Sequence, residues 1–200
     1  MTDSVRTAPT ALPRRDALRS LLGVGTLLIG AGSAATALSA GCGAVAFDAT
    51  SPIPEQKITG NLIAGVLGSF LPSPFTLQIN LEQETKARGT GPAHSAGLKA
   101  LSFKLTRVPS PPRSTDNFDF VDRIELFVES TKAGTQLMKQ KVADLLTVPK
   151  GVQVLNLQCY PAVDLVPYIN EGSRISSTAV GRVPQTDVYF DGQLTVEIRV

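Results

Sequence analysis

Tryptophan is absent from this 200-residue chain, aromatic residues make up 6% of it, and it has one histidine and two cysteines. Each shortage removes a class of chemistry. Cys42 and Cys159 lie in unrelated surroundings, so no disulfide framework and no zinc-ligand spacing can be read from them. Any Ser-His-Asp or Cys-His catalytic set must use His94, which sits in the small-residue loop from Arg88 to Gly97. Ser95 is too close to it along the chain to be a convincing nucleophile. A hydrolase using His94 is therefore the last of the readings kept, and a non-enzymatic domain is expected.

Charge is also sparse, at 18% of residues. Of the 19 basic and 17 acidic side chains, Arg6, Arg14, Arg15, Arg19, Asp3 and Asp16 precede Cys42, which leaves 15 of each sign after it. A neutral chain without a basic stripe lacks the electrostatic footprint that phosphate backbones select, so nucleic acid is not expected as a partner. Gly89-Thr90-Gly91 is followed by no lysine at phosphate-loop spacing. No cofactor is expected. Asp116, Asp119 and Asp122, with Asn117, crowd one stretch whose hard oxygens could hold calcium. The spacing is not that of an EF-hand, and Phe118, Phe120 and Val121 interrupt it, so a solvated turn is the reading and calcium the alternative.

What is present begins with an address. A polar lead-in precedes Arg14 and Arg15, and no charged residue occurs from Ser20 to Phe47. The apolar core Leu21 to Ile29 is interrupted by glycine and gives way to small residues, which is the tripartite export pattern rather than a dense membrane span. Leu38-Ser39-Ala40-Gly41-Cys42 resembles the lipobox of bacterial lipoprotein precursors. That resemblance implies cleavage before Cys42, a diacylglyceryl group on its sulfur and an acyl chain on its new amino terminus. More than one chain makes attachment stable. Gly43, where an Asp would signal inner-membrane retention, implies the outer membrane. Arg14-Arg15-Asp16-Ala17-Leu18-Arg19 resembles the twin-arginine export motif, with general secretion as the other route. Residues 1–41 are thus expected to be an export signal peptide.

Residues 42–56 carry Pro, Ser and Ala with little periodicity and read as a flexible tether, followed by a β-sandwich domain over 57–200. Leu62, Val66 and Phe70, with Ile63, Leu67 and Leu71 beside them, predict one short helix near residues 61–71. Alternation of period two then predicts strands through Phe75 to Leu81, Leu101 to Leu105, Ile124 to Val128 and Leu194 to Val200. Val152 to Cys159 and Ile175 to Val180 add two more. Asp191-Gly192 predicts a hairpin turn between Val188–Phe190 and the last strand. Residues 136–146 suit either state, and agreement with the rest favours a strand pairing with Ile124 to Val128. Half-wet strands predict a mainly β, antiparallel two-sheet sandwich. Its expected role is as a binding or scaffolding module for an envelope protein. The alternative is a carrier of lipid or another apolar ligand, with the charge-free stretch Ile58 to Leu81 lining the cavity.

Overall fold

The computed structural model describes residues 45–200 apart from 62, 64, 110–112 and 114. Contacts divide the chain into Met1–Gly41 and Cys42–Val200. The first unit lies outside the described residues, as do the predictions at Arg14, Arg15 and Cys42. In chain order the described elements are β1 (Ala46–Ile58), β2 (Phe75–Thr76), α1 (Leu81–Ala87), β3 (Ser95–Leu105), β4 (Val121–Ser130), β5 (Gln140–Leu145), β6 (Val154–Asn156), β7 (Gln158–Cys159), α2 (Val166–Glu171), β8 (Ser173–Gly181) and β9 (Val188–Arg199).

They form the predicted sandwich, with one sheet in the order β1-β9-β3-β6 and the other β2-β8-β4-β5-β7. The named strand pairs are antiparallel. Alternation is the cause. Leu101 and Phe103 of β3, Ile124, Leu126 and Val128 of β4, and Leu194, Val196 and Ile198 of β9 are buried between the layers. Each such side chain contributes about 1.5–3 kcal/mol relative to leaving it in water. Phe70, Phe103, Phe118 and Phe190 form one fully buried ring cluster, with Phe70 5.0 Å from Phe103 and 4.6 Å from Phe190.

Within residues 136–146, Gln140–Leu145 form the strand β5, which pairs with β4 from Ile124↔Leu145 to Val128↔Gln140, while residues 136–139 are irregular. Other expectations need correction. The stretch read as a tether supplies β1, which pairs with β9 from Ala46↔Arg199 to Ile58↔Val188. Like the other half-wet antiparallel strands it buries one face, supplied by Ala49, Ser51, Ile53 and Ile58. Pro52 and Pro54 are tolerated because the strand is an edge, and they remove donors that another chain could use.

No helix forms among the described residues of 61–71. Gly65, Leu67 and Gly68 bond outward instead. Val183 N–H donates to Gly65 O at 3.0 Å, Leu67 N–H to Gly181 O at 3.2 Å and Ala179 N–H to Gly68 O at 3.2 Å, covering the free edge of β8. Helix would forfeit these bonds and pay about 1 kcal/mol for each interior glycine.

Nor is there a hairpin at Asp191-Gly192, through which β9 runs unbroken between β1 and β3. A Cβ at Gly192 would meet Ser102 O at 2.7 Å and the Phe103 ring at 2.8 Å. Its glycine serves close approach, not a turn. Lastly, Val152 to Cys159 is not one strand. β6 joins β3 and β7 joins β5, so the chain changes sheet at Leu157. The run from Phe75 is strand for two residues only, although Leu77, Ile79 and Leu81 keep their inward alternation. Asn80 then caps α1, its Oδ1 accepting from Gln83 N–H at 2.9 Å.

Register defines two poles. Ala46 of β1, Ser95 of β3 and Arg199 of β9 lie together at one, hereafter the N-terminal pole, and Ile58, Leu105 and Val188 at the other, the distal pole. Val121 and Gly181 of the second sheet join the distal pole through Phe118 N–H, which donates to Val152 O at 2.9 Å, and Leu105 N–H, which donates to Gln153 O at 3.0 Å.

Candidate functional site

Three separate segments meet at the distal pole to form a cleft of about 460 Å³. Asn61 comes from the stretch after β1, Thr115 to Phe120 from the connection into β4, and Arg182 to Val188 from the connection between β8 and β9. Backbone bonds hold them in place. Asn61 N–H donates to Pro184 O at 2.8 Å, Arg182 N–H to Phe120 O at 2.8 Å, and Gly60 N–H to the Asp187 carboxylate at 3.0 Å. Asp187 also pairs with Lys57 at 2.6 Å, which with the Gly60 bond holds its carboxyl below the usual range.

Phe120, Val183, Pro184 and Val188 give the cleft apolar walls, while Asn61, Thr115, Gln185 and Thr186 bring amides and hydroxyls. Arg182 adds a guanidinium with no ion pair among the described residues. A few polar groups on an apolar surface is the usual constitution of a small-ligand site, and the fork of Arg182 suits a carboxylate or phosphate. A second hollow of about 50 Å³ shares Thr115, Asn117, Thr186 and Val188 with the cleft and reaches Arg107. Arg107 has φ 56°, the one non-glycine residue at positive φ among those described. Its guanidinium holds Glu55 in a two-point ion pair and lies 3.9 Å from the Tyr189 ring centre. This strained rim is kept in place by interactions on both faces.

The residues singled out by sequence fall elsewhere or have other partners. His94 is exposed at the N-terminal pole, where its N–H donates to Arg199 O at 2.8 Å. The length of β3 separates it from the cleft, roughly 30 Å at strand rise. Asp116 accepts from Arg113 N–H at 2.7 Å, Asp119 from Gly151 N–H at 2.6 Å, and Asp122 pairs with Lys150 at 3.6 Å. Among the described residues no three His, Cys, Asp or Glu side chains come together as a metal site. Asp119 does line the cleft, but its carboxylate is turned to the backbone. Between the sheets, Leu77, Leu98, Leu101, Val142, Leu165 and their neighbours leave an apolar cavity of about 10 Å³. That is room for about one water, far short of an acyl chain.

One polar network escaped the sequence reading. Asp144 of β5, 1% exposed, accepts from Lys141 Nζ at 2.8 Å and from the Tyr160 hydroxyl at 2.7 Å. Burial alone would raise its pKa, but these two bonds outweigh it and leave the carboxyl below its ordinary 3.8. The same bond raises the Tyr160 phenol. Glu125, opposite Asp144 in the register, is lowered first by Arg123 and also by Lys141. The network joins β4 and β5 to the residue after β7 and is structural in its reach.

A carboxyl depressed in the fold contributes stability above its unfolded pKa and loses it as pH falls through the folded value. Asp144→Asn is therefore expected to lower the urea midpoint most at pH 7, with the gap to wild type closing below about pH 4. A gap that stays constant from pH 7 to pH 2.5 would show that the charge of Asp144 is not what matters. Cys159, whose thiol burial pushes up to about 11, is a small half-buried side chain and a poor nucleophile.

Compared with protein-family models and with curated proteins, the chain matches none.

Proposed function

We propose that this chain is an exported cell-envelope lipoprotein, anchored through a diacylglyceryl group on Cys42, whose β-sandwich is a binding module and not a catalyst. The observation that carries the reading is the placement of Cys42. It ends a lipobox-like run and opens the unit Cys42–Val200, so processing there would release the folded domain whole. Gly43 in the second mature position favours the outer membrane, reached by the twin-arginine or the general export route. Binding is assigned to the distal cleft, where Arg182, Gln185 and Thr186 surround the apolar walls. A partner carrying a carboxylate or phosphate on a compact body suits it, whether a small molecule or a side chain of an envelope protein.

Two measurements test the two halves. Intact mass of the protein taken from its host membrane is expected to show loss of residues 1–41 and a triacyl or diacyl adduct. Cys42→Ala should leave an unprocessed precursor or shift the protein to the soluble fraction. A bare thiol at Cys42 in the wild-type protein sinks the anchor. For the cleft, carboxylate-bearing fragments are expected to shift the amide resonances of Asn61, Arg182 and Thr186, with at least a tenfold affinity loss in Arg182→Ala. Shifts confined to the N-terminal pole would remove the cleft from consideration.

A further inference from the structure

The domain is tied down almost to the proposed anchor. Val200 N–H donates to Val45 O at 3.0 Å, and the register of β1 with β9 starts at Ala46↔Arg199. Only Gly43 and Ala44 lie between Cys42 and Val45. An extended chain spans at most about 3.6 Å per residue, so three steps cover about 11 Å. A tether over 42–56 would have allowed roughly 50 Å on the same arithmetic. If the sulfur of Cys42 sits at the head of its acyl chains, the N-terminal pole is held inside the headgroup layer or against it.

The chemistry of that pole agrees with such a neighbour. Val45 is half exposed where the chain leaves. Around it Lys99 pairs with Asp48 at 2.8 Å and approaches Glu197, Arg199 pairs with Glu197 at 2.6 Å, and Arg88 lies 4.2 Å from the Phe47 ring centre while paired with Glu84. Three cations face three anions, so these six side chains carry both signs and balance one another. Such a face matches zwitterionic headgroups, which present both signs, and does not call for anionic lipid.

We infer that the protein stands on the bilayer by this pole, the bilayer surface being the partner of the face around Val45, Arg88, Lys99 and Arg199. The inference rests on the lipid-anchor reading. It places the distal cleft about 30–40 Å above the membrane, the length of β3 or β1 at ~3.3 Å per residue, and directs the cleft away from the lipid. A ligand then reaches the cleft from the side opposite the anchoring leaflet.

The test uses the mature lipidated protein reconstituted in phosphatidylcholine vesicles that carry an energy acceptor on a fraction of the headgroups. A donor dye is attached to cysteine in Pro92→Cys, at the N-terminal pole, or in Gln185→Cys, on the cleft. Both positions are exposed. Transfer from position 92 is expected to be at least twice that from position 185, and unchanged between 50 and 500 mM salt. Inserting twelve Gly/Ser residues after Gly43 should bring the two values together. Equal transfer from both sites without the insertion overturns the standing orientation, and larger transfer from 185 reverses it. Loss of orientation at high salt would show that net charge, not the short leash, holds the pole down. Failure of the protein to float with vesicles at all is a different result and counts against the anchor itself.

Discussion

Phe70→Ala is expected to cost about 3–5 kcal/mol of folding stability, while Val66→Ala, four residues earlier, costs less than about 0.5 kcal/mol. On a helical stripe both side chains would be inside. In the fold Phe70 is 0% exposed and Val66 84%. Phe70 lies in the stretch that covers the edge of β8 and reaches across to Phe103 of β3 and Phe190 of β9, with Phe118 at 6.0 Å. Its ring therefore links the two layers beneath the distal cleft, and aromatic pairs add about 0.5–1.5 kcal/mol beyond area burial. Urea unfolding followed by far-UV circular dichroism checks both values, with an unchanged denaturant slope showing that the native fold persists. Comparable losses at the two positions would restore the helix. Phe70→Leu should recover most of the loss, because the site asks for apolar volume first.

Gly97→Ala, the addition of one methyl group, is expected to destabilise by about 1–3 kcal/mol or more. A Cβ at this position of β3 would lie 2.3 Å from Pro161 O and 3.0 Å from its carbonyl carbon. Both are backbone atoms, so no flexible side chain can swing aside. The segment after β7 crosses β3 here, with Leu165 N–H donating to Ala96 O at 2.7 Å and Ala96 N–H to the Asp164 carboxylate at 3.0 Å. Displacing it strains these bonds, each worth about 1 kcal/mol or more. Gly68→Ala is the matched control. Nothing lies within 4 Å of its added methyl. That variant should be neutral or gain up to about 1 kcal/mol from a less mobile unfolded chain. Similar thermal melts for the two variants would show that the approach of Pro161 to β3 is not tight in solution.

Where the pattern along the chain was strict, strands followed it. Leu101 to Leu105 and Leu194 to Ile198 alternate without interruption, Ile124 to Val128 does so but for Phe127 on the wet face, and the three form the centre of both sheets. Expectations failed where one local signal had two physical uses. Glycine after Asp191 permits a tight turn and also permits a neighbour to approach, and the ring of Phe103 took the second use. Apolar residues four apart suit a helix, but the groups of Gly65, Leu67 and Gly68 found better partners in β8 and just after it. α1 was missed, because Leu81 was assigned to the preceding strand; the cap that Asn80 gives Gln83 N–H is seen only in the fold. The cleft left no trace of its own. Asn61, Phe120 and Arg182 lie 59 and 62 positions apart and share no motif.

Composition and order of residues thus determined by themselves the class of the fold, the inward faces of its central strands and the scarcity of catalytic side-chain types. They could do so because period, charge and side-chain type are local properties that each segment carries wherever it packs. Apart from the pairing of β4 with β5, which strands neighbour one another, the pairing of Ala46–Ile58 with β9, the packed interior and the cleft at the distal pole were decided only in three dimensions. Backbone donors and acceptors are alike in nearly every residue, so their choice of partner, and the pole at which a side chain arrives, depends on what the whole chain brings within reach.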